Sequence, residues 1–359
     1  MYYPKQVLAG FCAGLLSRAG IGAQDAAQIA DVLTEADARG VYSHGVVRVE
    51  GYMACVQSGG IRPNAVHTVV AEGPGFARID AGQGLGIPVS LEATELAIRK
   101  AKQTGIALVT VFNSHHHGAC GHYTLMCARQ GLIGLAMSTG DIIMAATGSA
   151  ESSIGNNPFS YAVPAGAYGE ICYDVAMSTV AAGKIAMAAD EGRSIPLGWL
   201  LDPDGNPTTD PGQQAKGGPL VPFGGYKGYG LSLMVETLAG MLSGGALLKD
   251  IHAWNKDPEH SGNVGHCFAV IDPALVSPGI DIAARAEHVI AELKASRRAP
   301  GVDRICFPGE LEQEKLAISL ARGIALPPAS EHALARAAAL VGLTFDAQAL
   351  AFGSENRRF

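Results

Sequence analysis

Residues 90–138 read SLEATELAIRKAKQTGIALVTVFNSHHHGACGHYTLMCARQGLIGLAMS. Ser90–Lys102 has the composition of a helix, with Ser90 as its N-cap and Glu92 in its first turn. Gly105 is its stop, and Ile106–Phe112 is a short β-branched apolar run, hence a strand. The alternation then repeats. A second helix is expected over Gly118–Gln130, ended by Gly131, and a second strand over Leu132–Ser138. Helix–strand alternation of this kind predicts a mixed α/β layer domain.

Downstream, Phe159–Val163 and Ile171–Val175 read as two more strands around the turn Ala165–Gly169. Asp202–Gly212 (DPDGNPTTDPG) is turn chemistry throughout, and it lacks the spacing and terminal Glu of a calcium loop. Gly228–Leu242 is expected to be a helix approached through glycines, Cys267–Ile271 a strand and Ile280–Arg297 an amphipathic helix. Helices near Leu311–Arg322 and Ser330–Val341 follow. Upstream, the first 60 residues read as helical. Ala26–Arg39 places Ile29, Val32, Leu33 and Ala36 at the spacing of a buried stripe, with Gly40 as the stop. Gly59, Gly60 and Pro63 mark a break. These shifts suggest a helical domain built from both chain ends, 1–65 with about 310–359, and an α/β domain, 66–309, inserted between them.

Composition narrows the function. The 359 residues carry a net charge of −7 and are 48% hydrophobic, enough for a large core and too apolar for intrinsic disorder. A mildly acidic chain without basic runs is a poor nucleic-acid binder. No apolar span is long enough for a membrane helix. Lys5 followed by Val7–Leu16 has the look of a weak signal peptide, but Arg18 follows closely and an amphipathic first helix is expected instead. Seven cysteines without a C-x-x-C read as free thiols in a reducing compartment, hence a soluble cytoplasmic protein. The 46 glycines, against only 6% aromatics, suggest many tight turns and close backbone approaches.

Three constellations could carry chemistry. Tyr42-Ser43-His44-Gly45, with Arg48 beyond it, lies past an expected helix end. An imidazole beside a hydroxyl can move a proton near neutral pH, and a guanidinium can clamp a carboxylate; the plainer reading is a helix terminus. His115-His116-His117, with His122 nearby, could bind zinc, although consecutive residues cannot all face one metal and no H-E-x-x-H is present. The other reading puts one histidine in a cleft at the start of a helix that opens through Gly118 and Gly121. Gly224-Gly225-Tyr226-Lys227-Gly228-Tyr229-Gly230 could bring backbone and a cation to phosphate, yet it is neither a Walker loop nor a Rossmann fingerprint. Gly82–Gly86 (GQGLG) is expected to be a turn, and Lys184 after Gly183 a helix-surface residue.

Taken together, the motifs resemble the malate/L-lactate dehydrogenase family of the non-Rossmann type. That family includes ureidoglycolate, sulfolactate and diketogulonate dehydrogenases and the cyclic-imine (piperideine/pyrroline-2-carboxylate) reductases. The blocks that carry the resemblance are ADARGVYSHGVVR (36–48), NSHHHGACGHY (113–123), IGNNP (154–158) and YDVAMSTVAAGK (173–184). IPLGW (195–199), DGNPTTDP (204–211), PFGGYKGYG (222–230) and FPGE (307–310) complete them, in order over nearly the whole chain.

The resemblance implies a non-Rossmann mixed-sheet domain that binds a dinucleotide, NAD or NADP, often at a dimer interface. It implies hydride transfer between that cofactor and a small 2-oxo or 2-imino acid, so the expected assembly is a homodimer with no nucleic-acid or membrane partner. His44 would be the proton donor, Ser43 would orient its ring, and Arg48 would bind the substrate carboxylate. His116 and Asp141 would polarise the substrate or tune the site, and Asn157 would lie at the substrate. Cofactor contacts would come from His117, Gly118, Ala119, Cys120 and Gly121, and from Asp174, Val175, Ala176, Met177 and Ser178. Gly225, Tyr226 and Lys227, and the turn Pro308, Gly309 and Glu310, would supply the rest. The chain departs from the family pattern at His115-His116-His117-Gly118 (usually N-H-F-G), at Asn156 within Gly155–Pro158 (usually G-T-N-P) and at Ala182 (usually Arg). The first two bear on the substrate and the third on NAD against NADP. Two alternatives stand beside this reading: a zinc hydrolase using His115–His117, and a silent homologue that only binds a ligand or partner.

Overall fold

A computed structural model describes residues 1–351; residues 352–359, the end of the expected helical unit, lie outside the described residues. Three helices lead the chain: α1 (Lys5–Arg18), α2 (Ala23–Ala38) and α3 (Val49–Ser58). The hairpin β1 (Thr68–Gly73) and β2 (Phe76–Asp80) follows, then α4 (Gly86–Thr104), β3 (Ile106–Ser114), α5 (Cys120–Ala128) and β4 (Ile133–Ser138). A second hairpin is formed by β5 (Phe159–Pro164) and β6 (Glu170–Val175). Beyond it come α6 (Ala182–Asp190), α7 (Tyr226–Val235), β7 (Val264–Ile271), α8 (Ile282–Ala295), α9 (Glu310–Arg322) and α10 (Pro328–Leu340).

The strands form one seven-stranded sheet in the order β1-β2-β3-β7-β4-β5-β6. Only β2 and β3 run parallel; every other pairing is antiparallel. The late strand β7 inserts between β3 and β4, with Cys267 opposite Thr110 on one side and Met137 on the other. It is almost wholly buried, as an apolar central strand must be. One apolar core lies between the sheet and α4 and α5, and includes Ala97, Val109, Tyr123 and Phe268. Another, with Met144, Met177, Ile185 and Val235, packs α6 and α7 on other sheet residues. A third joins α1–α3 to residues 324–350. There Tyr3 pairs with Ile324 in a two-residue bridge, and its hydroxyl donates to Glu331 at 2.6 Å.

Several boundaries differ from the sequence reading. Helix α4 starts at Gly86, four residues before the expected N-cap. Pro88 sits in its first turn, where a missing N–H is harmless. Ser90 is therefore inside the helix, buried, with its hydroxyl 3.1 Å from His117 Nδ1. The glycine run 82–86 accordingly turns and then begins a helix. The helix expected from Gly228 starts at Tyr226 and widens into a π-helical segment over Glu236–Met241. Strand β7 is three residues longer than expected at its start, and the hairpin over residues 68–80 had no clear alternation to reveal it.

Candidate active site

The loop after α2 carries Ser43, His44 and Arg48 on two consecutive 3-10 turns, Tyr42–His44 and Val46–Arg48. Asp37 holds it from below: its buried Oδ2 accepts the Val46 N–H at 2.7 Å. A Cβ on Gly45 would fall 1.9 Å from Asp37 Oδ1, so only glycine fits there. Desolvation pushes the Asp37 carboxyl up to about 8.

His44 Nδ1 lies 2.9 Å from Ser43 Oγ, as expected for a hydroxyl that orients the ring. The half-buried imidazole is held down at about 4, chiefly by desolvation and then by the Arg48 charge. Arg48 Nε donates to the Ser43 carbonyl at 2.7 Å, and no bond from its two Nη groups occurs among the described residues. Its guanidinium carbon stands 5.4 Å from the centre of the Trp254 ring. Asp141 is close enough to feel the charges of Arg48 and Lys256, which oppose the desolvation that raises its carboxyl.

The three histidines diverge. His116 stacks on His44, with ring centres 5.5 Å apart and 23° between planes. Its Nδ1 is 2.6 Å from the Tyr52 hydroxyl and 3.4 Å from the Gly118 N–H. The backbone N–H can only donate, so the neutral ring is assigned its proton on Nε2. Desolvation, with Arg48 and the other histidines adding to it, holds this ring well below the usual histidine range. His117 is buried and stacks on His266 at 4.2 Å and 8°. His115 is buried against the edges of Tyr52 and Trp254, and neither of its nitrogens has a partner among the described residues.

The expected cofactor stretches converge on a strip. A cleft of about 320 Å3 is lined by Ala119 and Gly121 at the start of α5, by Asp174 at the end of β6, and by Pro308 and Gly309. The Gly121 N–H donates to Asp174 Oδ2 at 2.7 Å, and the Cys172 N–H donates to the Pro308 carbonyl at 3.0 Å. Desolvation, opposed by the Gly121 N–H and aided by the Glu312 charge, raises the Asp174 carboxyl to about 6. From there the strip runs past Val175 and Ala176 to Met177, whose carbonyl accepts the Phe223 N–H, and to Ser178, which bridges to Pro222. That brings Gly225, Tyr226 and Lys227, exposed at the start of α7, alongside the 174–178 segment. A larger open recess of about 750 Å3 lies at the chain start and the end of α9, and none of the expected site residues lines it.

Some expected residues contribute differently. Asn157 is fully buried: its amide nitrogen is bonded to the Ser232 carbonyl (3.1 Å) and Glu236 Oε2 (2.8 Å), and its oxygen accepts the Gly140 N–H. It ties the Gly140 backbone to α7 and the π-helical segment, and its amide is already fully engaged. The side chains of His117, Cys120 and Met177 are likewise buried. The Glu310 carboxylate is occupied by Lys294 and the Phe307 N–H. Other residues escaped the sequence reading. Tyr52 and Trp254 flank His116, and Glu35 and Arg39 line the cleft beside His122, which the sequence places only with the histidine cluster. Burial would raise the Glu35 carboxyl, but His122, Arg129 and Arg39 outweigh it and hold it at about 2. Glu35 and Arg39, like Asp37 beneath the loop, lie in or beside the block 36–48, and His122 lies in the block 113–123; nothing local marks Tyr52 or Trp254.

The chain is similar to known proteins over most of its length. The family described as malate/L-lactate dehydrogenase matches residues 3–335. The chain is 40% identical over 314 residues to a malate dehydrogenase of Pyrococcus horikoshii, covering 86% of each. It is 35% identical over 307 residues to a delta(1)-pyrroline-2-carboxylate/delta(1)-piperideine-2-carboxylate reductase of Pseudomonas syringae pv. tomato, covering 84% of this chain and 87% of the other. The solved structure of sulfolactate dehydrogenase from Methanocaldococcus jannaschii superposes with a TM-score of 0.88 at 31% identity, over 96% of this chain and 98% of that one.

Proposed function

The chain belongs to the malate/L-lactate dehydrogenase family, and from that premise we propose that it transfers a hydride between a nicotinamide dinucleotide and a small 2-oxo or 2-hydroxy acid, with His44 carrying the proton. The observation that carries this reading is the meeting of Arg48 with two stacked neutral imidazoles, His44 and His116, on the two segments that also supply Val41 and Ala119 to the glycine-lined cleft.

The cleft suits a dinucleotide. Gly121 and Gly309 let backbone approach closely, the start of α5 favours an anion, and the Asp174 carboxylate can accept from a ribose. Ala119, Gly121, Asp174 and the Pro308–Gly309 turn would hold the cofactor, which when bound supplies or takes up the hydride. The Arg48 Nη groups, unbonded among the described residues, would clamp the substrate carboxylate and fix C2 beside the two imidazoles. Positioning of that kind can be worth roughly 7–11 kcal/mol at best. A carboxylate on Arg48 also offsets one of the two influences that depress His44, so His44 becomes more basic when substrate is bound. In oxidation His44 takes the hydroxyl proton; in reduction it returns a proton to oxygen. His116 Nε2–H is a donor to the C2 substituent, and Asp141 moderates the charge of Arg48.

The second reading is reduction of a cyclic 2-imino acid, with the proton delivered to nitrogen; the 35% identical reductase supports it. The zinc-hydrolase alternative lacks such support. The rings of His115, His116 and His117 occupy different surroundings, and no metal-holding group of three or more His, Cys, Asp or Glu occurs among the described residues.

A homodimer is supported by the apolar face that α7 and the π-helical turn leave uncovered, with Leu233, Met234, Met241 and Leu242 exposed. The inserted-domain arrangement is supported by the core shared between α1–α3 and residues 324–350. Seven free cysteines support a reducing compartment such as the cytoplasm, and no described helix is long and apolar enough to cross a membrane. The test is a panel of pyruvate, oxaloacetate, a branched 2-oxo acid and piperideine-2-carboxylate, each with NADH and with NADPH. Turnover of at least one is expected. NAD(P)H binding without any turnover would support the silent homologue instead.

A further inference from the structure

Trp254, one of two tryptophans in the chain, lies in the connection between the π-helical turn and β7. It is 9% exposed, so filling the core is the plain explanation for it. Its neighbours argue for more. The indole faces His116 at 5.2 Å and 29°, and the Arg48 guanidinium carbon stands 5.4 Å from its ring centre. Tyr52, which holds His116 Nδ1, packs on it at 5.6 Å. One aromatic surface therefore touches both the group that would clamp the substrate and the group that would polarise it. Helix α3 is cut to receive it. A Cβ on Gly51 would lie 2.3 Å from the indole, and Cys55 Sγ reaches the Trp254 carbonyl at 3.4 Å. Just beyond α3, a Cβ on Gly60 would strike the Pro258 carbonyl at 2.2 Å.

We propose that Trp254 is a positioning residue: its indole is the platform that sets the Arg48 guanidinium for the substrate carboxylate and fixes the plane of His116. This rests on the reading of Arg48 as the carboxylate clamp. A planar cation is held over an aromatic face by the ring quadrupole, most strongly where water is excluded. Arg48 has no carboxylate bonded to it among the described residues, so the indole and the Ser43 carbonyl are what restrain it. Without the ring, the Nη groups would sample orientations that do not meet a carboxylate, and substrate affinity would fall before the chemical step does.

The test is a set of steady-state measurements on the full-length protein with whichever 2-oxo or 2-imino acid the wild type reduces. Trp254→Leu, which fills space without a π face, is expected to raise KM about tenfold or more. Trp254→Phe should restore most of that loss. In an Arg48→Ala background Trp254→Leu should add little to KM, because the two act as a unit. Thermal melts confirm that each variant is folded, and Trp254→Met, which also fills space without a π face, replaces Trp254→Leu on the same criteria if Trp254→Leu is not. A KM for folded Trp254→Leu within about twofold of wild type, or an equal multiplicative effect with and without Arg48, would overturn the proposal. A second readout needs no turnover. In Trp199→Phe protein, Trp254 emission should change saturably on titration with oxamate, and should not once Arg48 is Ala. An emission blind to oxamate while oxamate still binds by calorimetry also overturns it. Failure of the functional reading is distinct: the wild type would then turn over nothing in the panel.

Discussion

Arg48, four positions beyond His44, helps to set the chemistry of that imidazole. Desolvation and the Arg48 charge hold the imidazole at about 4, so in the free protein it is a base at neutral pH. kcat/KM reports the free enzyme. For oxidation of a 2-hydroxy acid it should therefore stay flat from about pH 5 upward as far as this group is concerned; for reduction it should fall as pH rises through the neutral range. An oxidation profile that instead loses activity below a midpoint near the ordinary histidine value of 6.5 would contradict this environment for His44. The loop beneath gives a second expectation. Gly45→Ala drives a methyl into Asp37, so the Ser43–Arg48 loop must shift, with activity lost well beyond any loss in melting temperature. The meeting of Ser43, His44, Arg48 and His116 was legible because two contiguous blocks, 36–48 and 113–123, carry them. Asn157 was misplaced because a motif position does not tell which way a side chain points, and Trp254 was invisible because its partners are about 140 and 200 residues away.

Elements were read well where a glycine closes them. Gly40 and Gly105 adopt positive φ at the ends of α2 and α4. The start of α4 was misread because Ser90 suits a cap, whereas its hydroxyl serves the buried His117. The π-helical turn after α7 has no sequence signature; it places Glu236 where it accepts both Asn157 and the Leu248 N–H. The start of α5 makes an element-scale prediction. At Gly121 a Cβ would lie 2.8 Å from Asp174 Oδ2, so Gly121→Val fills the cleft and pushes Asp174 aside. NADH affinity, read by fluorescence titration, should fall about tenfold or more. An unchanged affinity would place the dinucleotide elsewhere. On α7 and the π-helical segment that continues it, Met234→Glu with Met241→Glu should yield a monomer by sedimentation if this face joins two copies; a variant that stays dimeric would point to another surface.

At the scale of the whole molecule, the concentration of neutral histidines behind the site has a consequence for stability. His115, His117 and His266 are fully buried; His115 is depressed to about 4, His266 to about 3 and His117 well below the ordinary value of 6.5. Below pH 6.5 the unfolded chain takes up protons that these rings refuse, so stability is present above that pH and falls as pH drops toward 4. Each ring contributes up to about 1.4 kcal/mol per pH unit. Glu35, held at about 2, adds a loss below its ordinary 4.5, whereas Asp37, raised to about 8, acts in the opposite direction as pH rises from 3.8. Urea unfolding at pH 7 and pH 5 should show a clearly lower midpoint at pH 5; equal midpoints would contradict the buried neutral histidines. The α/β class was legible from one alternating stretch, but the place of β7 between β3 and β4 was not, since pairing across more than 120 residues leaves no local trace. The account as a whole turns on proton transfer by His44, and the most direct measurement is kcat/KM for reduction of an accepted 2-oxo or 2-imino acid by His44→Ala beside the wild type. A fall of about 10²–10⁴-fold in a protein that still binds NADH is the predicted result; reduction of every acceptor at the wild-type rate would contradict it.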